Sequence, residues 1–90
     1  MDFLFTPKGW EDYRHWLRHH LPTARKVHRL LESIRQDPYE GIGKPEPLKH
    51  RLHGLWSRRI DQEHRLVYRI VMEGERVARI EVMACRYHYD

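Results

Sequence analysis

The sequence contains a single cysteine, Cys85, among its 90 residues. One thiol forms no internal disulfide and cannot build a zinc site from paired cysteines, so we expect a small core residue here. No apolar run approaches the roughly 20 residues that a transmembrane helix needs, and the N-terminus lacks a basic stretch followed by a long apolar one. These absences predict a soluble, cytoplasmic protein without a membrane partner.

Repeats, low-complexity tracts and linker-like stretches are also absent. The expectation is a single domain over residues 1–90, because this length leaves room for only one two-layer core. The sequence lacks a His-Glu-x-x-His motif, and the pair His15 and His19 has no third ligand at a suitable spacing. We therefore expect neither a metal nor a cofactor.

The positive charge is unevenly distributed along the chain. There are 17 Lys and Arg against 13 Asp and Glu, and residues 44–69 hold seven of the basic and three of the acidic ones. A basic segment of this kind suggests a polyanionic partner, nucleic acid first, although solvated surface explains such a patch equally well.

Two helices are predicted in the first half of the chain. Residues 2–5 form a short apolar run, and the following Thr6 and Pro7 suit a helix N-cap and first helical position. The first helix is expected to stop near Leu21, because Pro22 disfavours a helical residue before it, and the second to stop before Asp37. Apolar residues recur at helical spacing in both stretches: Trp10, Tyr13, Trp16 and Leu17, then Val27, Leu30, Leu31 and Ile34.

The second half is predicted to contain a long loop and three strands. Residues 37–51 have no periodic pattern and several prolines and glycines, and loops of this length are usually functional or disordered. Strands are expected at residues 55–60, 65–71 and 77 to about 87, with Gly74 turning the last hairpin. In the middle strand one face can pack on the helices while the other offers arginines to solvent or a ligand: Leu66, Tyr68 and Ile70 on the first, Arg65, Val67 and Arg69 on the second.

Three groups of side chains are candidates for chemistry. Glu46 stands between two prolines that stiffen an extended backbone, which suits a positioned general base, although a solvated loop carboxylate or a polyproline-like binding segment also fits. Arg59 and Arg65 can converge on one phosphate from adjacent strands, or simply be solvated. His88 suits a proton donor near neutral pH because histidine has an ordinary pKa of about 6.5, but a terminal histidine is normally just exposed.

Four runs of the sequence together resemble the YoeB/Txe-type toxins of the RelE superfamily. The runs occur in the family's order at residues 38–50 (PYEGIGKPEPLKH), 55–60 (LWSRRI), 63–68 (EHRLVY) and 84–89 (ACRYHY). The resemblance covers essentially the whole chain and is weakest at residues 71–82, where this chain is a few residues longer than familiar members.

The resemblance implies an α+β, microbial-ribonuclease-like fold, with two N-terminal helices packed on a twisted, mainly antiparallel sheet. It also implies roles for individual residues. Glu46 resembles the family's general base, Arg65 its transition-state clamp and His88 its general acid. Tyr89 corresponds to the tyrosine after the catalytic histidine, and the basic residues near the substrate phosphate correspond to Lys44, Lys49 and Arg59. Asp90 departs from the pattern, since familiar members commonly end at that tyrosine.

The function implied is a type II toxin that cleaves messenger RNA in the ribosomal A site without a metal. Its implied partners are mRNA, the 70S ribosome and a YefM/Phd-type antitoxin, with operator DNA bound only through the antitoxin complex. A homodimer is left open, because Trp, Tyr and Leu side chains could pair two copies or pack in the core. Two alternatives remain: a non-nuclease toxin of the same fold, like the ParE-type gyrase inhibitors, and a binding or co-repressor module.

Overall fold

The structure, a computed structural model, describes residues 1–88. Its strands form one sheet in the order β1-β5-β4-β3-β2, in which β1 runs parallel to β5 and the other neighbours are antiparallel. The elements are β1 (Asp2–Phe5), α1 (Pro7–His19), α2 (Leu21–Gln36), β2 (Glu46–Pro47), β3 (Leu55–Arg59), β4 (Arg65–Glu73) and β5 (Arg76–Ala84), with a 3-10 turn at His50–Leu52. The expected α+β class, with two N-terminal helices on a mainly antiparallel sheet, is confirmed.

The predicted N-cap of α1 is confirmed. The Thr6 hydroxyl accepts a hydrogen bond from the Gly9 N–H at 3.1 Å, and Pro7 occupies the first helical position. The first helix ends at His19, two residues before the expected position, but the expected reason is wrong, because Leu21 is already the first residue of α2. Pro22 lies in the first turn of α2, where its missing N–H would have no helical partner in any case.

The core lies between the two helices and one face of the sheet. Its buried members come from both helices, from the inward positions of β4 and β5 and from the residue that follows β5. They include Val27, Leu30, Ile34, Leu66, Tyr68, Ile80, Val82 and Cys85. The core role expected for Cys85 is therefore confirmed. Within residues 1–88, no helix is long and apolar enough to cross a membrane.

The strand bounds differ from expectation in three places. The loop at residues 37–51 contains the two-residue edge strand β2, which its prolines concealed, and β4 extends to Glu73. The last strand ends at Ala84, three residues early, because the chain turns away and Tyr87 adopts a left-handed φ of 66°. The predicted turn at Gly74 is confirmed by the pairing of Glu73 with Arg76.

The second face of β4 is less open than expected. Val67 is only 8% exposed, and the arginine at position 69 lies 3.6 Å from the Glu81 carboxylate on β5. Arg69 therefore forms an ion pair with a neighbouring strand. Of the two arginines predicted on this face, Arg65 is the one that lines a groove.

Candidate functional site

The outer face of the sheet carries the residues that the sequence singled out on β2, β3 and β4. Glu46 is paired with Ser57, and Ser57 with Val67, so these three side chains form one row across the strands. Arg59 is paired with Arg65 in the row two residues further along. Directly paired residues point to the same side of a sheet, so Glu46, Arg59 and Arg65 share the face opposite the helices.

The separation of these residues follows from sheet geometry. Two strand spacings and a two-residue offset put the Glu46 and Arg65 Cα atoms about 12 Å apart, with Arg59 about 8 Å from Glu46. Both arginines are long, so guanidinium groups on these Cα atoms can reach a phosphate group that also contacts the carboxylate. The arrangement can therefore hold one phosphodiester between a carboxylate and two cations.

A groove of about 410 Å³ opens beside the two arginines. It is lined by Lys26, Gly43, Arg59, Ile60, Asp61, Gln62 and Arg65. Lys26 comes from α2 and was not singled out in the sequence, because nothing in a helical pattern indicates which surface lysine lies next to a strand hairpin. Three cations against one carboxylate give this groove a positive character suited to a phosphate.

The Arg65 guanidinium is already partly engaged. Its Nη1 donates to the carbonyl oxygens of Asp61 at 3.0 Å and His64 at 3.3 Å. These bonds turn the side chain toward the loop that joins β3 to β4 and restrict its rotamers. A guanidinium has five N–H donors, so these two bonds are compatible with further contacts to a ligand.

The C-terminal segment runs beside the first residue of β4. The Arg65 N–H donates to the Tyr87 carbonyl at 2.9 Å, and His88 follows directly. His88 is exposed. The structure thus brings the strand arginine next to the segment that carries the histidine, while Glu46 lies on the other side of the arginines. Tyr89 and Asp90 lie outside the described residues.

The two predicted substrate-binding lysines flank β2. Lys44 and Lys49 are both exposed, and Lys44 has a left-handed φ of 52° immediately after Gly43. Neither lines the groove that contains Arg59 and Arg65. They are close in sequence to Glu46, one before β2 and one after it.

Arg58, the neighbour of Arg59, has a different environment and fixes the loop before Glu46. It is fully buried, and its guanidinium donates five hydrogen bonds of 2.7 to 3.1 Å. The acceptors are the side chains of Tyr68 and Ser33 and the backbone carbonyls of Ile42, Asp37 and Glu40. A sequence signal existed, because strand alternation puts Arg58 on the inward face with Trp56.

A second basic surface lies on the outer side of α1, next to the C-terminal segment. A cavity of about 160 Å³ is lined by Glu11, Arg14, His15, Arg18, His19 and Arg86. Partial burial, followed by the charges of Arg86 and His19, lowers the pKa of His15 below its ordinary value of 6.5. The charges of Arg86 and His19 contribute to this shift after burial, and a bound anion would offset that part of it.

The described residues contain no thiolate and no cluster of metal ligands. Burial, and then the charge of Asp12, raises the pKa of Cys85 to about 12, so its thiol is protonated at neutral pH. Within residues 1–88, no group of three or more His, Cys, Asp or Glu side chains could hold a metal ion.

The chain is similar to known proteins over nearly its whole length. Residues 5–89 match the family model described as the YoeB-like toxin of bacterial type II toxin-antitoxin system. Toxin YoeB of Escherichia coli strain K12 is 44% identical over 89 residues, which is 99% of this chain and 100% of that protein. The structure of a YoeB/ParE toxin from Agrobacterium tumefaciens is 43% identical, with a TM-score of 0.92 over 99% of this chain and 100% of that one.

Two Staphylococcus aureus structures are also similar, each 40% identical with a TM-score of 0.86 over 99% of this chain and 98% of theirs. One is described as a YoeB dimer and the other as a heterotetrameric YoeB-YefM toxin-antitoxin complex. Similarity of this extent, over the whole length of each relative, shows that the chain belongs to the YoeB-like toxins of bacterial type II toxin-antitoxin systems.

Proposed function

We propose that this toxin is a metal-independent endoribonuclease that cleaves messenger RNA in the ribosomal A site. The observation that carries the proposal is the order of groups across one sheet face: the Glu46 carboxylate, then Arg59 and Arg65, then the segment that carries His88. A base and an acid on opposite sides of a cationic phosphate site form the arrangement that in-line cleavage of RNA requires.

In this mechanism the ribose 2′-hydroxyl is the nucleophile, which restricts the enzyme to RNA. Glu46 removes the 2′-proton, and the 2′-oxygen attacks the adjacent phosphorus. The bond from phosphorus to the 5′-oxygen breaks, and His88 donates a proton to that oxygen. Arg65 stabilises the negative charge on the phosphoryl oxygens, assisted by Arg59, Lys44 and Lys49, and Tyr89 acts beside the histidine. The products are a 2′,3′-cyclic phosphate and a 5′-hydroxyl.

The positive surfaces support RNA as the partner. The groove beside Arg59 and Arg65 and the cavity on α1 both carry more basic than acidic groups. Binding of single-stranded RNA through such groups would weaken with salt as condensed counterions are released. Because the ribosome holds the messenger in the A site, the proposed site of action is the cytoplasm.

We further propose that a YefM-type antitoxin neutralises the toxin, that operator DNA is bound only through that complex, and that the free toxin forms a homodimer. The support is the description of the Staphylococcus aureus structures, which are a YoeB dimer and a YoeB-YefM complex. Trp10 and Leu4 support this part of the proposal, because they are apolar side chains that are respectively 48% and 50% exposed.

The proposal predicts that Glu46→Ala and His88→Ala each lower the cleavage rate by about 10²- to 10⁴-fold, the usual contribution of one acid–base group. Cleavage of messenger by purified protein would be measured on programmed ribosomes and on free RNA. Glu75→Ala, in the turn between β4 and β5, and His28→Ala, beside β1 at the sheet edge opposite β2, are matched controls because both residues are exposed.

Two results would contradict the proposal. Near-normal cleavage by both Glu46→Ala and His88→Ala would remove the acid and base assignments. First-formed products with a 5′-phosphate and a free 3′-hydroxyl would exclude the 2′-hydroxyl as nucleophile. Stronger cleavage on ribosomes than on free RNA is expected, because the ribosome can hold the messenger in a reactive geometry.

A further inference from the structure

The C-terminal segment that carries His88 is held by side chains from distant parts of the chain. Beyond the end of β5, the Cys85 N–H donates to the Asp12 carboxylate at 3.0 Å, and the Cys85 carbonyl accepts from the Trp16 indole N–H at 2.7 Å. Both anchors come from α1 and are buried. They fix the segment at its start but leave the direction of the following residues undetermined.

Tyr87 is fixed separately, by the dipeptide that opens β4. The Tyr87 N–H donates to His64 Nδ1 at 2.7 Å, and the Tyr87 carbonyl accepts from the Arg65 N–H at 2.9 Å. Both backbone groups of one residue are therefore bound by consecutive residues. Tyr87 needs such bonds, because its φ of 66° is a left-handed conformation that non-glycine residues rarely keep without support.

The imidazole of His64 is itself held in place. Its ring packs edge-on against the Trp16 indole, with centroids 4.7 Å apart and an interplanar angle of 75°. Its side chain is only 12% exposed, and its Nε2 lies 3.6 Å from the Glu63 carboxylate. Since Nδ1 accepts a bond from a backbone N–H, the ring is neutral and its proton is on Nε2, facing that carboxylate.

We propose that His64 is a positioning residue, which fixes the Tyr87 backbone through Nδ1 and so aims His88 at the phosphate bound by Arg65. The effect on catalysis rests on the endoribonuclease proposed above. His64 is not the donor of the catalytic proton, because its Nδ1 is occupied and its ring is confined by Trp16. The adjacent positions 64 and 65 thereby link the two halves of the site: one residue orients the acid, and the next binds the phosphate.

Three substitutions separate this role from simple packing. His64→Asn places an amide oxygen close to the position of Nδ1 and keeps the acceptor. His64→Gln carries the same amide one methylene further out, near the position of Nε2, and is the matched control. His64→Phe keeps a ring against Trp16 but has no acceptor. The three variants thus differ mainly in whether the Tyr87 N–H has a partner.

Two measurements are made on the full-length protein. The first is hydrogen exchange of the Tyr87 amide by NMR, which needs no substrate. We expect protection in the wild type and in His64→Asn, and loss of protection in His64→Gln and His64→Phe. The second is kcat and KM for messenger cleavage on programmed ribosomes. Misplacement of a catalytic group by about 1 Å can cost on the order of 100-fold, so we expect kcat to fall by about 10- to 100-fold in His64→Gln and His64→Phe.

In His64→Asn we expect kcat within about 3-fold of wild type, and KM should change little in all three variants, because substrate binding does not use this bond. A wild-type kcat in His64→Phe would overturn the inference, and so would equal losses in His64→Asn and His64→Phe. If the wild type cleaves no RNA, the endoribonuclease proposal fails, yet the exchange of the Tyr87 amide still decides whether His64 holds this segment.

Discussion

At the scale of single residues, two adjacent arginines on β3 have opposite roles. Arg59 is exposed and lines the groove, whereas Arg58 is fully buried and binds the loop that leads to Glu46. The difference arises from strand alternation, which turns one side chain toward the core and the next away from it. Arg58 has only uncharged acceptors, so its geometry rather than its charge alone is what the loop requires.

Replacing Arg58 with lysine is therefore expected to destabilise the fold. Lysine has three donors in place of five and no planar fork, so at least two of the five hydrogen bonds are lost. At about 1.5 kcal/mol or more for each bond to a charged group, the loss is roughly 3 kcal/mol. Thermal unfolding should show a fall in Tm of roughly 12 °C for a domain of this size.

Arg59→Lys is the matched control for this stability measurement, since the same change at an exposed position should alter stability by less than about 0.5 kcal/mol. Equal Tm values for Arg58→Lys and Arg59→Lys would show that the buried bonds contribute nothing specific.

Some features of single residues could be predicted from the sequence, and others could not. The Thr6 and Pro7 helix start and the inward face of Leu66 and Tyr68 followed from local chemistry and alternation, and the structure has both. The partners of Cys85 could not be predicted, because Asp12 and Trp16 are 73 and 69 residues away. Glu46, Arg65 and His88 were singled out by residue type and by resemblance, while the register that relates their strands has no local signal.

At the scale of elements, α1 lies unusually close to β5. The backbone N–H of Thr6 donates to the Val82 carbonyl at 3.0 Å, and the single Thr6 hydroxyl hydrogen is within donating distance of two carbonyl oxygens, Val82 at 3.2 Å and Met83 at 3.1 Å. A Cβ atom at position 9 would clash with the Val82 carbonyl oxygen. Glycine is therefore required at this position for the close approach of α1 to β5. The helical periodicity of the sequence gives no indication of this requirement.

Gly9→Ala is expected to destabilise the protein by about 1–3 kcal/mol, the usual cost of overpacking. The direction of this stability change is informative, because at an exposed helical position alanine is instead favoured over glycine by about 1 kcal/mol. Chemical denaturation would measure the change. Arg14→Ala, at an exposed position of the same helix, should stay within about 0.5 kcal/mol of wild type. An increase in stability in Gly9→Ala would show that α1 can move away from β5 at no cost.

The elements that sequence patterns missed are those with the least regular structure. β2 has two residues, one of them proline, and is recognised only through its pairing with β3. The end of β5 and the turn at Tyr87 depend on bonds to α1 and β4 rather than on local residue preferences. These are also the segments that carry Glu46 and His88, so the least predictable parts of the fold are those on which the proposed chemistry depends.

At the scale of the whole molecule, the proposed site is assembled from three separate parts of the chain. α1 supplies the anchors Asp12 and Trp16, the β2 to β4 region supplies Glu46 and the arginines, and the last residues supply His88. The same core that joins these parts contains two buried acidic hydrogens, the Cys85 thiol and the Tyr68 hydroxyl. Because both groups are buried, the free energy of unfolding of the whole protein is expected to fall at alkaline pH.

Burial is the main cause in both cases: it raises the pKa of Cys85 from 9.0 to about 12 and raises the pKa of Tyr68 above 10.0. Between pH 9 and 12 the unfolded chain loses the thiol proton while the folded chain keeps it. Because the unfolded state then binds fewer protons, the free energy of unfolding must fall as pH rises through this interval, and the contribution is intact below pH 9.

The expected decline attributable to one such group has a limiting slope of about 1.4 kcal/mol per pH unit. Denaturant unfolding at several pH values from 8 to about 11 would measure it, with Cys85→Ala as the comparison. The variant loses some packing at every pH, so the slopes rather than the absolute stabilities are compared. We expect the free energy of unfolding to fall less steeply with pH in Cys85→Ala, because the tyrosine contribution remains and the thiol contribution is gone. Identical slopes would mean that the thiol ionises as readily in the folded protein as in the unfolded chain.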